Sequence, residues 1–135
     1  MNNISVGKKA PNFKYISSDG NSLSLSDFKG QKVLIYFYPR DNTPGCTKQA
    51  CSLRDSMDLL LEKNIKVIGV SKDSEKSHAN FRSKFNLNFD LVADPDKKII
   101  SSYGVLNEKG SANRKSFLID EQGKILFIWD KVKAA

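Results

Sequence analysis

Two continuous apolar runs constrain the fold of this chain more than any other feature. They are VLIYFY, from Val33 to Tyr38, and IKVIGVS, from Ile65 to Ser71. Unbroken apolar runs of this kind are typical of strands covered on both faces. Between the runs, apolar residues recur at helical spacing, at Leu53, Met57, Leu60 and Leu61. The pattern predicts a βαβ unit whose two strands lie parallel and are joined by a right-handed crossover.

Shorter patterns on both sides of this unit complete the prediction. YISSDGNSLSL, from Tyr15 to Leu25, alternates around a DGN turn and predicts an N-terminal β-hairpin. Further elements are predicted downstream: a helix over Ser74 to Phe85, a strand over Phe89 to Pro95, a short helix that stops at Gly104, and a final hairpin, SFLID and ILFIW, with Gly123 at its bend. We expect a single α/β domain over residues 1–135, with a mixed central sheet flanked by helices.

The net charge of +7 raises the question of nucleic-acid binding. Of the 22 basic residues, 18 are lysines, none forms a run longer than a pair, and acidic residues are interspersed through most of the chain. This distribution favours a solvated surface with no nucleic-acid partner. No apolar run approaches the roughly 18 residues of a membrane span, and MNNISVGKKAPNF lacks the features of a secretory signal. We therefore expect a cytoplasmic protein with no membrane partner.

Both cysteines lie in one short segment, FYPRDNTPGCTKQAC. Thr43 before Pro44 fits an N-cap residue followed by proline at the first helical position, so Cys46 would be the third residue of a helix. Free backbone N–H groups and the helix dipole favour a thiolate there, beyond the end of a predicted parallel strand. Cys46 is also in register with the apolar face of the predicted helix, so a small core residue is the alternative interpretation.

Cys51 falls on another face of the predicted helix, in line with Asp55, Asp58 and Glu62, and is expected to lie closer to water. In an unbroken helix its Cα would lie roughly 8 to 9 Å from that of Cys46. This exceeds the roughly 7 Å limit for a disulfide without backbone movement, so a bond would require the first helical turns to unwind. A thiol that reacts first and a second that reaches it after local unfolding are typical of a peroxidatic and a resolving cysteine.

The segment FYPRDNTPGCTKQACSLRD closely resembles the active site of peroxiredoxins, in particular the bacterioferritin comigratory protein or Q subfamily. Pro39, Thr43 and Cys46 match the pattern Pro-x-x-x-Thr-x-x-Cys. Four further segments are similar to family segments: GKKAPNF, VIGVSKDS, LVADPD and RKSFLIDEQGKI. The resemblance therefore covers essentially the whole chain. It implies a thioredoxin fold with an added N-terminal hairpin. The family's usual C-terminal helix has no counterpart before the sequence ends at WDKVKAA, which predicts partial exposure of Phe127 or Trp129.

By this resemblance the protein is a thiol peroxidase that reduces hydrogen peroxide and organic hydroperoxides. Cys46 is then the peroxidatic and Cys51 the resolving cysteine, and the two form an intramolecular disulfide. Arg114 matches the family's active-site arginine; with the Thr43 hydroxyl it would donate to the peroxide, while Pro39 would cover the site. Thioredoxin or a glutaredoxin-like dithiol protein would reduce the disulfide. The resemblance implies a monomer without metal, flavin or haem.

Other interpretations of these residues remain open at the level of sequence. Arg114 could be a surface residue beside Lys115, and Thr43 could serve helix capping alone. His78, the one histidine, has no evident partner and is expected at the surface. A thioredoxin-fold binding or holdase protein with a redox-sensing cysteine pair is the second hypothesis. It differs from an enzyme in turnover, because a sensor reacts once and waits for a partner.

Overall fold

The computed structural model describes residues 4–17 and 19–130. An N-terminal antiparallel hairpin pairs β1 (Lys14–Ile16) with β2 (Ser22–Ser24). The main sheet consists of β3 (Lys32–Phe37), β4 (Ile65–Ser71), β5 (Asp90–Ala93), β6 (Lys115–Ile119) and β7 (Ile125–Asp130). Its order is β5-β4-β3-β6-β7, with β3, β4 and β5 parallel and β6 and β7 antiparallel. The predicted hairpins, the βαβ unit and the mixed sheet are confirmed.

Four helices and a 3-10 turn connect the strands: the turn Leu25–Phe28, α1 (Pro44–Asp55), α2 (Met57–Glu62), α3 (Glu75–Phe85) and α4 (Lys98–Ser102). The apolar residues after Cys46 keep helical spacing, but the helix itself is interrupted. α1 and α2 are separate helices on either side of Ser56. Ser56 has φ −96° and ψ 0°, and its N–H donates to the Leu53 carbonyl three residues back. This residue ends the regular i to i−4 bonding of α1.

The strands of the sheet centre are covered on both faces, as their apolar runs predict. Side chains alternate along β3, so Val33, Ile35 and Phe37 join one buried cluster while Tyr36 belongs to a second. The first cluster also includes residues of α4 and the N-terminal hairpin, and the second includes residues of α1 and α3. Cys46 lies in the second cluster. The helix that carries the thiol is therefore packed on the sheet.

The outer strand β7 carries an exposed aromatic pair. Phe127 is 55% and Trp129 44% exposed, and their rings stack with centroids 5.6 Å apart. This confirms the predicted exposure. Residues 131–135, where the expectation of a missing C-terminal helix falls, lie outside the described residues. Within the described ranges, we find no helix whose length and apolar character would suffice to cross a bilayer.

The four tyrosines, Tyr15, Tyr36, Tyr38 and Tyr103, provide a test of the core. All are buried, and burial is the main cause that raises the pKa of each hydroxyl above its usual value. Unfolded tyrosines ionise near pH 10, so above about that pH the unfolded state loses protons that the folded state keeps. We expect stability to be unaffected by these groups below about pH 10 and to fall as the pH rises further.

This prediction is checked by following phenolate absorbance and far-ultraviolet circular dichroism together in an alkaline titration. The phenolate signal should appear in the same cooperative transition as the loss of secondary structure. A gradual phenolate signal centred near pH 10, in a protein that keeps its dichroism, would contradict the burial of these hydroxyls.

Candidate active site

The segment that contains both cysteines starts its helix where the sequence predicts. Thr43 is the N-cap residue of α1 with extended backbone angles (φ −88°, ψ 153°), and Pro44 is the first helical residue. The Thr43 carbonyl accepts the Thr47 N–H at 2.8 Å, which closes the first helical turn. Cys46 is consequently the third residue of α1 and follows the carboxyl end of parallel strand β3. Backbone N–H groups of the first turn have no acceptor within the helix, and this favours negative charge near the thiol.

Arg114 provides the second positive influence on the thiol. It directly precedes β6, which pairs antiparallel with β3, so the sheet brings it beside the start of α1. Its Nη2 donates to the Sγ of Cys46 at 3.2 Å. Cys46 is only 1% exposed, so this guanidinium acts on the sulfur with little screening by water. Arg114 is half-buried and engaged, rather than a free surface residue, and its guanidinium places a positive charge against the sulfur.

Gln49 is a member of the site that the sequence did not identify. Its side chain is buried, and its Oε1 accepts a hydrogen bond from Nη1 of Arg114 at 2.7 Å. The guanidinium is thereby held by two separate bonds, one to the amide and one to the sulfur. Gln49 follows Cys46 by three residues on α1, and residues at this spacing share a helix face. That spacing is the signal by which it could have been found.

Thr43 and Pro39 lie in the loop that leads into α1. The Thr43 hydroxyl does not cap the helix; it donates to the carbonyl of Arg40 at 3.1 Å. The capping interpretation is therefore right about the position of Thr43 and wrong about its side chain. Pro39 is half-buried near the end of β3. The loop also contains Asn42, in a left-handed conformation with φ 64°.

Cys51 lies farther along the same unbroken helix and is partly buried, which agrees with its expected position closer to water. Both thiols are free. α1 runs without interruption from Pro44 to Asp55, so both cysteines lie in one regular helix. Two cysteines five residues apart in such a helix are too far apart to form a disulfide. A bond between them therefore requires part of α1 to open.

The expected surface position of His78 is wrong. The side chain is 2% exposed, and its Nδ1 lies 2.7 Å from Oδ2 of Asp41. Asp41 precedes His78 by 37 residues and lies in the loop before α1, so its proximity depends on the packing of α3 against this loop. Asp73 lies beside them, and one ligand atom from each of the three residues lies within 4.8 Å of the others. These residue types could hold a cation, but hydrogen bonds already join His78 to the Asp41 carboxylate and the Asp41 backbone N–H to Asp73.

Tyr36 places a second unexpected polar group near the thiol. Its hydroxyl is buried and has no hydrogen-bond partner among the described residues. Burial, followed by the nearby charges of Asp41 and Cys46, raises the pKa of this hydroxyl well above its usual value, so it is neutral. Gly69 on β4 makes room for the ring, because a Cβ at that position would lie 2.8 Å from two ring carbons.

Known proteins of one family are similar to this chain over most of its length. A model described as the AhpC/TSA family matches residues 6–128. The putative peroxiredoxin bcp of Coxiella burnetii is 47% identical over 137 residues, which cover 96% of this chain and 91% of that protein. The crystal structure of a cysteine-to-serine mutant of Xylella fastidiosa PrxQ matches with a TM-score of 0.92 and 30% identity, covering 100% of this chain and 91% of that one.

A solved structure of the bacterioferritin comigratory protein of Xanthomonas campestris is also similar, with a TM-score of 0.87 and 30% identity over 96% of this chain and 90% of that one. The predicted thioredoxin fold is confirmed by these neighbours. The chain therefore belongs to the AhpC/TSA family, as a peroxiredoxin of the bacterioferritin comigratory protein or Q subfamily.

Proposed function

We propose that Cys46 is the nucleophile with which this peroxiredoxin reduces hydrogen peroxide and organic hydroperoxides. The observation that carries the proposal is the 3.2 Å contact between Nη2 of Arg114 and Sγ of Cys46 at the start of α1. It joins a guanidinium and a helix N-terminus at one sulfur, the surroundings that favour a reactive thiolate. The relative from Xanthomonas campestris is described by its alkyl peroxide reduction activity, which supports organic hydroperoxides as substrates.

In the proposed reaction the Cys46 thiolate attacks one oxygen of the peroxide. A sulfur–oxygen bond forms, the O–O bond breaks, and the leaving oxygen takes a proton to become water or an alcohol. Cys46 is oxidised to a sulfenic acid and the peroxide is reduced. Negative charge develops on the departing oxygen, so fixed donors lower the barrier. Arg114, first-turn N–H groups and the Thr43 hydroxyl are the donors that we assign, and Pro39 limits the access of water. The Thr43 hydroxyl donates to the Arg40 carbonyl in this structure, so it would have to turn toward the peroxide.

Cys51 is proposed to resolve the sulfenic acid. Its thiolate would attack the Cys46 sulfur, a disulfide would form, and the sulfenic oxygen would leave as hydroxide and take a proton to become water. Support comes from its position in the same helix, partly buried and five residues away. Because that helix must open for the two sulfurs to meet, the resolving step is coupled to local unfolding of α1. Thioredoxin or a glutaredoxin-like dithiol protein would then return both cysteines to thiols by disulfide exchange.

Two further parts of the proposal concern the setting of the reaction. We assign it to the cytoplasm, because a peroxidase that needs reduction in every cycle depends on a compartment rich in dithiol reductants. We also assign a monomer, since the proposed site draws on residues of one chain, including Cys46, Cys51 and Arg114. Sedimentation velocity over a range of concentrations tests this, and the exposed pair Phe127 and Trp129 marks the surface where association would begin.

Turnover decides between the enzyme and the redox sensor. The purified protein is supplied with thioredoxin, thioredoxin reductase and NADPH, and then with a large excess of peroxide. An enzyme consumes many equivalents of NADPH per chain, with a rate proportional to its concentration. If the protein forms one disulfide and then consumes no more peroxide, although the reductant can reduce that disulfide, the sensor hypothesis replaces the enzyme.

A further inference from the structure

His78 is surrounded by hydrogen-bond acceptors on both sides of its ring. On one side, Nδ1 lies 2.7 Å from Oδ2 of Asp41. On the other, Nε2 lies 3.1 Å from the carbonyl oxygen of Val92 on β5. A carbonyl oxygen can only accept, so Nε2 has to carry a proton to satisfy it. The carboxylate makes the same demand on Nδ1.

Two hydroxyl groups also approach the ring, but neither offers it a proton. The Tyr38 hydroxyl lies 3.4 Å from Nδ1 and donates instead to Oδ1 of Asp41 at 2.6 Å. The Ser71 hydroxyl lies 3.5 Å from Nε2 and donates instead to Oδ2 of Asp73 at 2.7 Å. Each hydroxyl has a single proton, and a carboxylate accepts it. In a neutral ring one of the two buried nitrogens carries no proton. That nitrogen would face a hydrogen-bond acceptor and would receive no hydrogen bond itself.

The charges around the ring lead to the same conclusion. One carboxylate oxygen from each of Asp41 and Asp73 lies within 4.8 Å of a ring nitrogen of His78. With a neutral ring these three side chains hold two negative charges, and with an imidazolium they hold one. His78 and Asp41 are buried and Asp73 is partly buried, so opposite charges here are screened less than at the surface. The acceptors around the ring and the negative charges of the two carboxylates thus both favour a proton on each nitrogen of His78.

Asp41 connects this ring to the active-site loop. Its carboxylate accepts from three side chains: Tyr38 at 2.6 Å, Ser77 at 2.8 Å and His78 at 2.7 Å. Its backbone N–H donates to Oδ2 of Asp73 at 2.8 Å. Asp41 thus joins the residue that follows strand β3, the loop after β4 and helix α3 at a position two residues before Thr43. These bonds fix the backbone from which α1 begins.

We infer that His78, as a buried imidazolium, is a positioning residue of the peroxidase site that holds the Asp41 loop and thereby the start of α1 and the Cys46 thiolate. The inference rests on the proposed function. His78 touches neither the peroxide nor the sulfur and acts only through Asp41. Without the ion pair the loop backbone would be able to shift by about an ångström. A displacement of that size is enough to misplace a reacting group.

The protonation state can be observed directly, because His78 is the only histidine in the chain. Long-range ¹H–¹⁵N spectra of the reduced protein show the state of both ring nitrogens without ambiguity of assignment. A histidine in water is mostly neutral at about pH 7.5. We expect both nitrogens of His78 to carry protons there, and Asp41→Asn to abolish this signature. A ring with one proton in the wild-type protein at that pH would overturn the inference.

The functional part is tested by the single-turnover rate of Cys46 oxidation, measured by rapid quenching and intact mass. His78→Leu and Asp41→Leu are each expected to slow this step about tenfold, because His78→Leu removes the positive partner of the Asp41 carboxylate, Asp41→Leu removes the carboxylate from the ring, and either change loosens the loop. The double variant removes both charges and should be no slower than the slower single variant. Ser83→Ala, on the exposed side of α3, is the matched control and should oxidise at the wild-type rate.

His78→Gln provides a second route if the leucine variants fail to fold. Glutamine can donate one hydrogen bond to Asp41 but carries no charge, so an intermediate rate is expected. A folded His78→Gln or His78→Leu variant that oxidises as fast as wild type would overturn the positioning role. If wild-type protein itself does not consume peroxide, the proposed function fails instead, and the nuclear magnetic resonance signature of the ring is still decided independently.

Discussion

Cys46→Ser is expected to abolish peroxide consumption, with a loss of at least about a thousandfold in turnover. The hydroxyl of serine stays protonated where a thiol becomes a thiolate, so neither Arg114 nor the start of α1 can make it a comparable nucleophile. The change is nearly isosteric at a buried position, and the fold should persist. The assay is NADPH consumption coupled to thioredoxin and its reductase, with circular dichroism to establish that the variant is folded.

Cys51→Ser is the matched control, because it makes the same chemical change five residues away on the same helix. Its first oxidation by one equivalent of peroxide should proceed as in wild type, and the product should be a sulfenic acid seen as a gain of about 16 Da. Wild-type protein should instead lose two hydrogen atoms, a mass change of about −2 Da, and form a disulfide. Retained activity in Cys46→Ser would refute the assignment of the nucleophile. A disulfide-free wild type would refute the resolving role of Cys51.

The fold could be predicted because each of its main features has a local signal. The two apolar runs that became β3 and β4 mark strands buried on both faces, and Thr43 with Pro44 marks the start of α1. These signals depend on neighbours within a few residues. The break at Ser56 escaped prediction because the apolar spacing continues across it, while the backbone there leaves the helical path.

The active site was only partly predictable, for a physical reason. Cys46 is identified by its own helix, whereas Arg114 follows it by 68 residues and reaches the sulfur because β6 pairs with β3. Without the family resemblance, nothing in the sequence near Arg114 separates it from a surface arginine. The contact between Asp41 and His78 is even harder to predict from sequence. No local pattern distinguishes either residue, and the two meet only because α3 packs against the loop before α1.

Arg114→Leu is expected to reduce the rate of Cys46 oxidation by about 10²- to 10³-fold, the usual loss when one preorganised donor to a developing charge is removed. Two effects contribute. The thiolate loses a guanidinium at 3.2 Å, and the departing peroxide oxygen loses a donor that is fixed before the reaction begins. Stopped-flow measurement of the oxidation rate gives the combined loss. Ultraviolet absorbance of the thiolate at several pH values separates the first effect from the second.

Arg114→Lys distinguishes charge from geometry at the same position. Lysine keeps the positive charge but not the planar fork that bonds Gln49 and Cys46 through separate nitrogens. If the fork matters, Arg114→Lys should restore the thiolate absorbance and recover only part of the rate of Cys46 oxidation. Gln49→Leu should lower that rate about tenfold, because the guanidinium then loses the bond that fixes its orientation. If Arg114→Leu oxidises as fast as wild type, the start of α1 alone activates the thiol and the arginine has no part in the chemistry.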